Sequence, residues 1–167
     1  LYITGQNPLV TSRNLNIVQA GLENLEMLVC AEPFETETSC FWQKREGVDP
    51  STIDTEVILL PAASFLEKEG TLINSSRLVQ WRYAGLKPLG DAKQDIEIID
   101  LLFQKIREKY ADSTEEKDKI FKLVKWDYPA DNRSDSVLKE INGYNHKTGE
   151  LLKSIGEIQA DGSTPSL

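Results

Sequence analysis

The sequence is poor in the residues that most often carry metal and acid–base chemistry: 167 residues include one histidine and two cysteines. Cys30 and Cys40 permit at most one disulfide and lack the paired CxxC spacing of a zinc or iron–sulfur site, so they read as small buried hydrophobes. His146 lies in a polar segment beside Gly143 and Gly149. No nucleophile and orienting acid surround it, so it reads as surface, not as a catalyst. Long apolar runs are also missing. The stretches at residues 57–61 and 98–103 fall far short of the roughly 18 residues of a membrane span, and no direct membrane insertion is expected. Neither GxGxxG nor GxxxxGK[ST] occurs, so the standard dinucleotide and P-loop readings lack their glycines. Basic charge is in deficit, 19 Lys and Arg against 27 Asp and Glu for a net charge of −8. The two signs are interleaved with no basic stripe, and no nucleic acid is expected as a partner. No internal repeat, initiator Met or targeting signal is present. Residues 160–167 read as a loop cut in mid-course, giving the expectation of a piece of something longer.

What is present suits a globular α/β chain, with 40% hydrophobic and 28% charged residues, close to ordinary domain averages. Leu1-Tyr2-Ile3-Thr4 predicts a strand, stopped by the Gly5-Gln6-Asn7-Pro8 turn. Leu15, Val18, Leu22 and Leu25 have helical spacing, with Thr11 or Ser12 as the cap, and Met27-Leu28-Val29-Cys30-Ala31 predicts a second strand ended by Glu32-Pro33. Strand, helix and strand in about 30 residues make a βαβ unit, right-handed and parallel, with both carboxyl ends on one edge of the sheet. A short helix and a loop are expected over residues 36–50. Glu56-Val57-Ile58-Leu59-Leu60 predicts a third strand ending at Pro61. Beyond it, residues 67–74 and 77–82 read as a polar loop and hairpin. Ile96, Ile99, Phe103, Ile106 and Tyr110 predict a long helix. Ser113-Thr114-Glu115-Glu116 reads as a capping box before Ile120, Phe121 and Val124, and a last helix is expected over residues 134–143, with Gly143 as its stop. The mixed charges of residues 105–125 read as a solvated face. The fold class is therefore α/β: a Rossmann-like parallel sheet flanked by helices, with an irregular loop and hairpin and a helical C-terminal part. Residues 1–143 form the domain and residues 144–167 an extended, flexible tail.

Position, more than motif, marks the candidate ligand residues. Gly5, Gln6 and Asn7 follow the first strand and precede the first helix, where an open α/β sheet presents amides to an anionic ligand. Glu32, Glu35 and Glu37 follow the second strand, where acidic residues accept from ribose hydroxyls in dinucleotide folds. Glu67 and Glu69 share a strand face, a weak signature of paired carboxylates that also fits surface charges beside a turn. Trp42 and Trp81 are candidates for stacking on an aromatic ligand, with a core role as the commoner alternative.

The run Thr55-Glu56-Val57-Ile58-Leu59-Leu60-Pro61, followed by Glu67-Lys68-Glu69-Gly70-Thr71, Asn74, Arg77 and Val79-Gln80-Trp81-Arg82, resembles the catalytic alpha (major) subunit of molybdopterin-dependent formate dehydrogenases. Gly5-Gln6-Asn7-Pro8, Glu37-Thr38, Phe41-Trp42, Asp49-Pro50, Glu140-Ile141-Asn142-Gly143-Tyr144 and Gln159-Ala160-Asp161-Gly162-Ser163-Thr164 fall in the same order as in that subunit. The resemblance spans nearly the whole chain. It implies an internal fragment of an enzyme that oxidises formate to CO2 at molybdenum or tungsten held by two molybdopterin guanine dinucleotides, and a fragment inactive and cofactor-free on its own. The family's metal-ligating cysteine or selenocysteine, its histidine and its iron–sulfur cysteines are not matched here. Residues 1–143 are implied to be part of a domain that holds one pterin dinucleotide. Gly5, Gln6 and Asn7 then meet the guanine nucleotide portion with Glu35 nearby, and the loop bearing Glu69, Gly70, Asn74, Arg77 and Gln80 faces the cofactor interior. Implied partners are the remainder of the alpha subunit and an electron-transfer iron–sulfur subunit; the implied location is periplasmic, with the cytoplasm as the alternative. A non-catalytic interaction module and a free-standing nucleotide-binding domain are the competing readings.

Overall fold

The computed structural model describes residues 1–43, 47–76, 79–131, 133–142 and 147–150. The expected tail after residue 150 and the helix stop at Gly143 lie outside them. The chain divides into two compact units, the first formed by Leu1–Glu67 with Leu86–Asp95, the second by Lys68–Gly85 with the described residues from Ile96 onward.

The first unit is built on three parallel strands, β1 (Tyr2–Thr4), β2 (Met27–Glu32) and β3 (Glu56–Pro61), in the order β1-β2-β3. Thr4 lies opposite Ala31, and Glu32 opposite Pro61. The βαβ unit is thus present, with α2 (Leu15–Glu23) in the first crossover. The core gathers Ile3, Leu22, Leu28, Cys30 and Phe41, with Val18, Leu25 and Trp42 packed against it. Leu28 and Cys30, on one face of β2, have no exposed surface, as expected of a central strand covered on that face.

Two local expectations are corrected. Helix α2 is capped by Asn14, whose side chain accepts from Ile17 N at 3.3 Å, not by Thr11 or Ser12. Pro8 starts an extra turn, α1 (Pro8–Thr11), where its missing N–H costs nothing. Thr11 Oγ1 donates to Asn7 O at 3.1 Å, which uses its side chain inside that turn, and Ser12 N closes the turn on Pro8 O. No α-helix forms among the described residues of 36–50, only 3-10 turns at Phe41–Gln43 and Pro50–Thr52. Ser39 Oγ accepts from Thr36 N at 2.8 Å, a local side-chain bond of the kind that competes with helix propagation.

The second unit contains the hairpin, β4 (Gly70–Ile73) antiparallel to β5 (Val79–Arg82), with Gly70 opposite Arg82. Its helices are α3 (Asp95–Lys109, whose first residue belongs to the first unit), α4 (Lys119–Leu123) and α5 (Arg133–Asn142). The expected capping box is replaced by a 3-10 turn at Glu116–Asp118. Ser113 Oγ accepts from Glu115 N and donates to the buried Asp118, while Glu116 pairs with Lys119 instead of reaching back. The charges of α3 behave as a solvated face, with Lys105 and Glu108 paired in solvent.

Asp100 on α3 organises this unit. Only 6% exposed, it accepts from Trp126 Nε1 at 2.7 Å and Gln104 Nε2 at 3.3 Å on Oδ1. On Oδ2 it accepts Arg133 Nε and Nη2, both at 2.9 Å. Burial alone would raise the carboxyl, but the bonds from Trp126, Gln104 and Arg133 outweigh it and hold the group below the ordinary range. Its contribution to stability is therefore complete above the unfolded value near pH 4 and is lost as the pH falls toward the depressed folded value. Asp100→Asn should lower stability at neutral pH and flatten the acid limb of the pH–stability curve below about pH 4, measured by urea titration; an unchanged acid limb would contradict this. In the first unit, Leu28→Ala should cost about 3 kcal/mol, because a fully buried side chain is replaced by a cavity, measured by the same titration.

Candidate cofactor-binding site

Parallel pairing brings the carboxyl ends of β1 and β2 to one edge, and the loops that leave them are bonded together there. Gly5, at φ +59°, donates its N–H to Ala31 O at 3.2 Å. This is a left-handed conformation that glycine adopts without strain. Nothing lies within 4 Å of where a Cβ would stand, so the backbone is open on that side, and Gln6 beside it is exposed.

Asn7 is engaged within the protein. Its Nδ2 donates to Glu37 Oε2 at 2.7 Å, and its Oδ1 accepts from Thr38 N at 3.2 Å and Thr38 Oγ1 at 2.6 Å. Thr38 is fully buried and its hydroxyl also accepts from Leu9 N. The Asn7 amide thus fastens the loop after β1 to the loop after β2. Thr38 gave no such signal in the sequence, because a threonine in a polar loop is unremarkable until its partner is known.

Of the three acids at the end of β2 and in the loop that follows, Glu32, the last residue of the strand, stands apart. It is 3% exposed; Oε2 accepts from Thr36 Oγ1 at 2.8 Å, but Oε1 is buried with no hydrogen-bond partner. An unsatisfied buried carboxylate oxygen is costly, so a donor is called for at this edge. Glu35 is exposed. Both cysteines are free and buried. Burial, with Glu32 and then Cys40 adding to it, pushes the Cys30 thiol up to about 11. Burial and Glu35 raise Cys40 in the same direction. At neutral pH both are protonated thiols, packed as the sequence implied.

The other sequence-derived residues lie on the hairpin. Gly70 sits at φ +144°, outside the range of ordinary L-residues, so the turn into β4 itself demands glycine. Asn74 Oδ1 accepts from Ser76 N at 3.1 Å and from Ser76 Oγ, an Asx turn that shapes the connection. Glu69 and Gln80 are exposed, and Arg77 lies outside the described residues, as does His146. Glu67 belongs to the first unit, where its Oε2 accepts from Ser64 N at 2.7 Å, a bond that holds the carboxyl below its usual range. Trp42 packs edge-on against Phe41 at 5.7 Å, a core role, and Trp81 packs edge-on against Tyr83 at 6.3 Å.

The profile of the molybdopterin oxidoreductase family matches residues 51–105, which run through β3 and the hairpin into α3. The nitrate-inducible formate dehydrogenase major subunit of Escherichia coli is 34% identical over 182 residues, an alignment covering 99% of this chain and 18% of that subunit. Formate dehydrogenase 2 subunit alpha (cytochrome c-553) of Nitratidesulfovibrio vulgaris is 37% identical over 177 residues, covering 99% of this chain and 17% of that one. The Haemophilus influenzae formate dehydrogenase major subunit is 32% identical over 181 residues, with coverage of 98% and 18%. The chain thus resembles the molybdopterin oxidoreductase family over residues 51–105 and formate dehydrogenase subunits over nearly its whole length. It spans less than a fifth of the length of these relatives. The cofactor of this family is molybdopterin, and a partly buried polar edge with an orphaned acceptor suits such a ligand. Among its described residues, no group of three or more His, Cys, Asp and Glu is placed to hold a metal ion, and no helix is long and apolar enough to cross a membrane.

Because both thiols are buried and protonated, peptides containing Cys30 and Cys40 should carry no label after brief treatment with iodoacetamide at pH 7.5 and full label after denaturation. Rapid native labelling of Cys30, read by mass spectrometry, would contradict the geometry.

Proposed function

We propose that this chain is a segment of the catalytic alpha subunit of a formate dehydrogenase, and that it holds part of a bis(molybdopterin guanine dinucleotide) carrying molybdenum or tungsten. The observation that carries the reading is the buried Glu32 Oε1 without a partner, at the strand edge where α/β sheets receive nucleotides. Similarity to formate dehydrogenase subunits across nearly the whole chain supports the same parent enzyme. When bound, the cofactor accepts the two electrons released as formate loses a proton and becomes CO2.

The chain's own residues bind and orient. Gly5 allows a ligand to approach the backbone, and Gln6 offers an amide beside it. Glu32 Oε1 accepts an N–H or O–H from the nucleotide portion, which removes its desolvation cost, while Glu35 is an exposed acceptor at the same edge. Asn7 acts from behind, keeping the two loops in register through Glu37 and Thr38. From the hairpin, Glu69, Gly70, Asn74, Arg77 and Gln80 form the second set of proposed contacts, with Arg77 as the cationic partner for phosphate. The partners of this segment are the rest of the alpha subunit and an electron-transfer iron–sulfur subunit, and the proposed compartment is the periplasm.

Full-length enzyme carrying Glu32→Gln tests the reading. Replacing the acceptor of one charge-assisted hydrogen bond should weaken cofactor retention about tenfold, taking such a bond as worth ~1.5 kcal/mol. Metal content and acid-released guanine nucleotide are the measurements, and the melting temperature of the cofactor-free protein should hardly change. Gln80→Ala should act in the same direction. Undiminished metal and nucleotide in Glu32→Gln enzyme would remove the strand edge from the site.

A further inference from the structure

We propose that Asp100 is a positioning residue for the β4–β5 hairpin, acting through the first turn of α5. Asp100 accepts both Arg133 Nε and Nη2 at 2.9 Å, a two-point grip that fixes direction as well as distance. Trp126 Nε1 and Gln104 Nε2 occupy its other oxygen, which sets the carboxylate plane. The next residue after Arg133 then reaches the hairpin: Ser134 Oγ donates to Glu69 O at 3.1 Å. That carbonyl belongs to the residue just before β4. The Cβ position of Gly70, at φ +144°, faces Ser134 Cβ and Oγ at 3.8 Å each.

A chain of three links therefore runs from α3 through Asp100, Arg133 and Ser134 to the start of β4. Both ends of it are determinate. Asp100 and Arg133 are 8% and 16% exposed at their side chains, so the pair has few alternative geometries, whereas the β4 side of the hairpin is exposed at Thr71, Leu72 and Ile73 and has little packing of its own to fix it. The start of β4 is thus held by α5 through Ser134. The consequence for cofactor binding rests on the reading of the hairpin as a cofactor loop; the positioning itself does not.

The test uses full-length protein and hydrogen exchange read by mass spectrometry. Ser134→Ala cuts only the last link. It should speed exchange in Gly70–Ile73 about fivefold, the equivalent of one ordinary hydrogen bond, while exchange in α3 and the melting temperature stay as they were. Ser134→Thr, which keeps the hydroxyl, should restore protection. Asp100→Asn should reproduce the faster hairpin exchange and add loosening of α5; where Asp100→Asn fails to fold, Arg133→Lys, which keeps the charge but loses the two-point grip, takes its place. Unchanged hairpin exchange in folded Ser134→Ala and Arg133→Lys proteins would overturn the proposal. Faster exchange with undiminished metal and nucleotide would support the positioning and remove the hairpin from the cofactor site.

Discussion

The parallel register of β1 against β2 is the constraint on which the candidate site depends. With Thr4 opposite Ala31, the turn at Gly5 and the residue Glu32 open at the same edge, and the loops they begin are close enough for one side chain to bridge them. Asn7 is that bridge. Its amide uses its carbonyl and one N–H on Glu37 and Thr38; on the proposed reading the ligand meets Gly5, Gln6 and Glu32 Oε1. A one-residue slip of β2 would carry Leu28, Cys30 and Glu32 off the buried face together, so the apolar face of β2 and the position of the acid are one feature.

The strands, the hairpin and the long helix were legible because their signals are local. Alternating and β-branched apolar runs, a Gly–Asn turn segment and a clear helical period survive in any tertiary context. The caps were less legible. Asn14, Thr11 and Ser12 all qualify as N-caps by residue type, and the choice among them depends on whether Pro8 nucleates a turn of its own. The 36–50 segment reads as helical only if Thr36 and Ser39 leave the backbone free, and they do not.

For the candidate site, sequence position pointed to the edge where the loops after β1 and β2 meet, but not to which of their side chains are engaged within the protein. Asn7 has the chemistry of a ligand donor, yet it is used inside the protein because Thr38 and Glu37 stand opposite it. Gly70 and Asn74 stand out in the hairpin for reasons that turn geometry already accounts for, a positive φ and an Asx turn, so their presence alone carries little weight for ligand contact. Glu32, by contrast, was one of three similar acids. Only burial separates it from Glu35 and Glu37, and burial depends on β3 and the Thr36 turn, which no local pattern encodes. The two units also hold themselves differently: the first has an apolar core around Leu28 and Phe41, the second a buried ion pair at Asp100. Such a pair adds direction more than net stability, since its desolvation offsets much of its attraction.

On the proposed function, the joined loops after β1 and β2 receive the nucleotide end of a molybdopterin cofactor. Hydrogen exchange compared between cofactor-loaded and cofactor-free full-length enzyme tests it most directly. Slower exchange on loading is expected at the amides of Gly5 and Gln6 and of the loop that follows Glu32. Identical exchange there in the two forms, with slowing confined to other parts of the enzyme, would contradict it.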